Sequence, residues 1–113
     1  EPQQAIAFLE GGIQAAQFTG DTFLQATNLA YLAEAHHQLE QSDRVIYAGA
    51  LGMYLLHQIA SSNWRQPAGL LKILQGKLGE KEFGDRLQNQ RPKLIAVIGV
   101  DGYDYLPTLL DDY

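Results

Sequence analysis

Apolar residues recur at spacings of three and four from one end of the chain to the other. In PQQAIAFLEGGIQAAQF, Ile6, Leu9, Ile13 and Ala16 fall on one face of a helix that Pro2 opens in its first turn. Thr19-Gly20-Asp21 ends that helix, and Asp21 is placed to cap a second. There Phe23, Leu24, Leu29, Leu32, Ala33, Ala35 and Leu39 make a broad apolar face as far as Gln38. The polar run Glu40-Gln41-Ser42-Asp43 predicts a turn, with Ser42 or Asp43 capping a third helix. That helix carries Val45, Ile46, Ala50, Met53, Leu56 and Ile59 and runs to Ser61-Ser62-Asn63. Pro67 suits the first turn of a shorter fourth helix that Gly79 ends. A fifth is expected over Glu80 to Asn89 on Phe83 and Leu87, and Pro92 opens a sixth.

The stretch LIAVIGVDGYDY, residues 94 to 105, runs from apolar residues into a glycine turn with two aspartates, as nucleotide sites often do. A strand there has no sheet to join, and its backbone groups would stay unpaired, so a helix is favoured. A phosphate loop would also need a βαβ setting and a lysine in the pattern, and neither is present. Gly99 and Gly102 are then expected to break the chain, and Asp104 to cap a last short helix with Pro107 in its first turn. The expected fold class is all-α, one domain over residues 1–113, with six to seven helices and a C-terminal capping pair.

Composition narrows the function classes. The 46% apolar content of 113 residues can supply a core. With no cysteine, disulfides, zinc-thiolate sites and thiol catalysis are excluded, and a reducing compartment, the cytoplasm, is expected. No apolar run approaches the ~18 residues of a membrane helix, and EPQQAIAF lacks the basic start of a signal peptide. The only methionine is Met53, so a chain beginning at Glu1 is expected to be processed or part of a longer protein. Residues 1 to 60 hold six acids against one base, Arg44, a net −5; residues 61 to 93 carry +4 and the tail −4. A chain of net charge −5 does not suit nucleic acid, whose phosphates need a basic face.

The sequence also repeats internally. AIAFLEGGI, from Ala5, aligns with VIYAGALGM, from Val45, pairing Ile6 with Ile46, Gly12 with Gly52 and Ile13 with Met53. HHQLEQSDRVI aligns with QGKLGEKEFGD, setting Leu39 over Leu78 and Val45 near Phe83 or Gly84. A true repeat gives Ala5 and Val45 equivalent environments. The segment LAEAHHQLEQSDRVIYAGALGMY, residues 32 to 54, resembles a tetratricopeptide repeat of the longer-helix kind found in kinesin light chains. Leu32, Ala33, Leu39 and Gly52 agree with that pattern, whereas His36, Glu40 and Val45 replace its aromatic, turn glycine and first small residue. IQAAQFTGDTFLQATNLAYLAEAHHQL is also similar to the C-terminal sensor repeats of cyanobacterial signal-transducing NTPases.

The resemblance implies a right-handed solenoid of antiparallel helix pairs: residues 1–20 as the second helix of a preceding repeat, 21–61 a repeat, 62–90 a shortened repeat and 91–113 a cap. It also implies a non-catalytic module that binds a protein or peptide in a groove, here faced by Thr27, Tyr31, Glu34, His37 and Gln38. Trp64 beside Arg65 is a further contact point, or else a plug between helix pairs. The alternative is a small metal-binding or enzymatic domain. It would use His36 or His37 with Glu40, or the acids of the Asp101–Asp104 turn; neither has the ligand spacing of a known metal site, and no metal or cofactor is expected.

The first helix, with Ile6, Phe8, Leu9 and Ile13, is expected to expose an apolar face and to self-associate through residues 2–18 as a homodimer. Sedimentation velocity should show mass rising with concentration. A monomer at the highest concentrations would refute the association.

Overall fold

The computed structural model describes every residue, 1–113. It contains α1 (Pro2–Thr19), α2 (Thr22–Gln38), α3 (Ser42–Gln58), α4 (Arg65–Leu78), α5 (Glu80–Asn89) and α6 (Arg91–Asp112), with a 3-10 turn over Ser62–Trp64 and no strand. No helix is long and apolar enough to cross a membrane.

The first three helices stop by one device. Gly20, Glu40 and Ala60 take φ of 75°, 57° and 58°. The next amide after each reaches back to a carbonyl five residues earlier: Asp21 to Ala16 at 2.8 Å, Gln41 to His36 at 3.0 Å and Ser61 to Leu56 at 3.0 Å. These bonds satisfy carbonyls that a helix end would otherwise leave unpaired. Connections this short lay α1, α2 and α3 side by side in alternating direction. Asp21 caps α2 as the sequence predicts, accepting from the Leu24 amide at 3.0 Å. Neither Ser42 nor Asp43 caps α3: Gln41 holds that position without a side-chain cap bond, and Asp43 instead pairs with Arg86 of α5 at 3.0 Å.

α3 is the axle. α2, α4, α5 and α6 all pack on it, while α1 packs on α2 alone. Ile46, Met53 and Leu56 of α3 are fully buried with Leu71 of α4 and Leu94, Leu106 and Leu109 of α6. Each such side chain stabilises the fold by about 1.5–3 kcal/mol. Two glycines let the neighbours approach. A Cβ on Gly52 would stand 3.2 Å from the Ala26 carbonyl oxygen and the Ala30 nitrogen, and one on Gly49 would stand 3.0 Å from a Leu71 methyl.

Four sequence expectations change. LIAVIGVDGYDY is helical, yet α6 breaks only at Gly99, where φ is 77° and ψ 171°. Gly102 is helical and buried; a Cβ there would meet Ile98 at 2.9 Å and Tyr54 at 3.1 Å, so it serves packing rather than a turn. Asp104 consequently lies inside the helix and caps nothing, and Pro107 falls beyond the first turn after the break. The repeat does not give Ala5 and Val45 like environments, since Ala5 is exposed and Val45 buried. The cause is position: α1 has one neighbour and α3 has four. Of the other aligned positions, Gly12 and Gly52 both abut α2, and Val45 and Phe83 are both buried. Finally, Ile6, Leu9 and Ile13 do not form an outward face but pack half-buried against the core, and only Phe8, 82% exposed, points away with Phe18, 93% exposed. The helical period explains this, because residues 6, 9, 13 and 16 share one side and 8, 11, 15 and 18 the other.

Two substitutions test this packing by urea unfolding. Gly52→Ala drives a methyl into α2 backbone and should cost about 1–3 kcal/mol. Ala60→Gly removes a side chain from a left-handed backbone and should add about 0.5–1 kcal/mol. Opposite signs would contradict the close crossing and the helix stop respectively.

Candidate functional site

The largest concavity is a cleft of roughly 650 Å³ that continues into a second of roughly 360 Å³, the two sharing Glu10, Leu29, Leu32 and Tyr47. It exists because α1 and α3 both pack on α2 and do not meet each other. Leu29 and Leu32 of α2 form the floor, Ile13 and Gln14 of α1 one wall, and Tyr47 and Leu51 of α3 the other. Gln17 and Gln25 edge the narrower part, and Gln90 and Lys93, at the α5–α6 corner, edge the wider.

His36 lies at the wide end and is only 3% exposed. Its Nδ1 lies 2.8 Å from Gln41 Oε1. That contact ties the His36 ring to Gln41, the residue that precedes α3. Beside it stand two cations, Arg44 and Lys93, both exposed and neither in an ion pair. Asp43, next to Arg44, is taken by Arg86, which Glu82 also holds at 3.0 Å. The hydrogen bonds that Arg86 donates to Asp43 and then to Glu82 raise its guanidinium above its ordinary pKa. Of the acids lining the cleft, Glu10 alone has no cationic partner.

The groove residues expected from the sequence lie on the other side of α2. Tyr31, Glu34 and Gln38 border a depression of roughly 210 Å³ beside the start of α1, and Thr27 and His37 lie outside it. Glu34 accepts from Gln66 of α4 at 3.3 Å. The Thr27 hydroxyl is buried without a partner. Trp64 and Arg65 stand apart from that face. Trp64 is half-buried against the core, edge-on to His57 with ring centroids 5.5 Å apart, and the Arg65 guanidinium lies 4.9 Å from the Trp64 ring centre. Trp64 thus packs on His57 of α3. For the metal alternative, nowhere do three His, Asp or Glu side chains gather closely enough to hold an ion, and the Asp101–Asp104 stretch is helix rather than turn.

Sequence reasoning missed Arg44, Tyr47 and Lys93. A signal existed for two of them: Arg44, Tyr47 and Leu51 share a face of α3, and Arg44 is the lone base of residues 1 to 60. Lys93 joins them only through the α5–α6 corner.

No protein-family model matches this chain, and comparison with curated proteins and with solved structures gives no match either.

The Gln41 contact has a measurable weight. Gln41→Ala leaves the buried His36 Nδ1 without its hydrogen-bond partner and should cost about 1 kcal/mol in urea unfolding at unchanged slope. An unaltered midpoint would show that the hydrogen bond does not hold the ring.

Proposed function

We propose that this chain is a non-catalytic, protein-binding helical scaffold of tetratricopeptide-like, right-handed build, serving as a sensor part of a larger regulatory protein in signal transduction. One observation carries the binding reading. The cleft between α1 and α3 is long and open, leucine-floored and edged by amides and charges, a form that suits an extended segment of another protein. The helix stops at Gly20, Glu40 and Ala60, twenty residues apart, support a hairpin unit of about forty residues of the tetratricopeptide kind, on the spacing of the helix ends and against the unlike environments of Ala5 and Val45.

The binding face differs from the one that the family resemblance implies. The side of α2 bearing Tyr31 and Glu34 offers only a small depression and is tied to α4 through Gln66, whereas the Leu29 and Leu32 side forms the base of the larger cleft between two walls. Function on this reading is recognition. A partner's apolar side chains leave water against the half-buried Ile13 and Tyr47, and the glutamine amides, which both donate and accept, satisfy its main chain.

A random-peptide display selection against the folded chain tests the proposal. Enriched peptides should bind saturably and shift the NMR signals of Ile13, Leu29, Tyr47 and Leu51. No enrichment over an unrelated helical protein, or shifts confined to Tyr31, Glu34 and Gln38, would contradict it.

A further inference from the structure

We infer that the outer face of α1 binds the same face of a second copy of this chain, the two helices crossing antiparallel at Gly11. The cleft is walled by another side of α1, so this inference goes beyond the cleft and does not depend on it. At 3.6 residues per turn, Gln4, Phe8, Gly11, Ala15 and Phe18 fall within an arc of roughly 80°, opposite Ile6, Leu9 and Ile13, which pack inward. All five are exposed, Phe8 at 82% and Phe18 at 93%. The arc carries no charge: Glu10 is the only charged residue from 2 to 20, and it lines the cleft. A helix face left in water ordinarily carries charges, as α5 does with Lys81, Glu82 and Asp85. Gly11 is a second sign. No atom of the chain lies within 4 Å of where its Cβ would stand, and its backbone is not left-handed, so neither packing nor a turn within one copy calls for a glycine.

The order of side-chain sizes points to the occupant. In an antiparallel pair centred on Gly11, Phe8 lies over Ala15 of the other copy, Phe18 over Gln4, and Gly11 over Gly11. Each phenylalanine meets a smaller side chain, and the glycines let the helices come close. A parallel pair would set Phe8 on Phe8 and Phe18 on Phe18 and leave a gap at Gly11. Taking ~200 Å² for each phenylalanine, two copies remove roughly 700 Å² of aromatic surface from water. With Gln4, Gly11 and Ala15 the interface reaches about 1,000 Å², the lower bound for a specific one, so dissociation constants of about 10–100 µM are expected.

The test is sedimentation equilibrium of the full chain and its variants from about 10 µM to about 1 mM. The chain should pass from monomer to dimer and no further, because a twofold interface is closed. F8E/F18E alters two exposed side chains; it should keep the circular dichroism and weaken the dimer roughly hundredfold. V97E/V100E, at exposed apolar residues of α6, should leave the dimer unchanged. Gly11→Leu separates a fitted crossing from general stickiness: leucine favours helix and adds apolar surface, yet it should weaken the dimer roughly tenfold. Because the chain has no cysteine, each single-cysteine variant can link only to another copy. Gly11→Cys should form that disulfide roughly tenfold faster than Gln4→Cys, since position 4 stands about 20 Å from its counterpart in the antiparallel pair. A chain that stays monomeric throughout, a dimer that survives F8E/F18E or is lost equally in V97E/V100E, a G11L variant that associates as tightly as the unaltered chain, or equal cross-linking at positions 4 and 11 would each overturn the inference.

Discussion

The arrangement depends on how closely α2 can approach α3. At Gly52 the α2 backbone comes so near that a single added carbon would touch the Ala26 carbonyl and the Ala30 nitrogen. At Gly49, one turn earlier, the Leu71 side chain of α4 occupies the corresponding space. Two missing side chains on one helix therefore fix two neighbours, and the large residues Ile46, Met53 and Leu56 complete the contact with α4 and α6. The crossing is favourable because dispersion and apolar burial both grow as helices approach, provided nothing is forced off its rotamer.

The cleft follows from the same crossing. With α2 drawn tightly to α3 and α1 packed on α2 alone, a cleft is left between α1 and α3, with the nearly buried Leu29 and Leu32 at its base. A Schellman stop at each helix end sets the length of the walls without long loops that could fold over the opening. Electrostatics then give the opening a direction. Arg86 reaches from α5 to neutralise Asp43, which leaves Arg44 without a carboxylate beside a lysine brought in by the α5–α6 corner.

Most of the helices were legible in the sequence because burial on one side imposes a period of three to four. The Asp21 cap and the Gly79 boundary followed from local chemistry alone, and the helicity of the Leu94 segment from the lack of a sheet for a strand to join. The turns after α2 and α3 were legible from their polar residues, but the left-handed conformation of Glu40 and Ala60 was not, since residues other than glycine take it there and composition carries no mark of it. Gly102 misled for the converse reason: in a sequence a glycine for close packing looks the same as one for a turn, and only Tyr54, nearly fifty residues away, tells them apart. The cleft was the least legible part. Both flanks of α2 hold apolar and polar residues at helical spacing, so sequence could not say which flank α4 would approach and which would stay open. Lys93 belongs to the site through tertiary geometry only.

Native-state hydrogen exchange tests the axle most directly, because it measures the opening free energy of each helix separately. If the α2–α3 crossing holds the rest, amides from Gly49 to Met53 should exchange only through global unfolding, while those of α1, which rests on α2 alone, should exchange through a cheaper local opening. Protection in α1 equal to that in α3, or an α3 that opens before α6, would contradict the account.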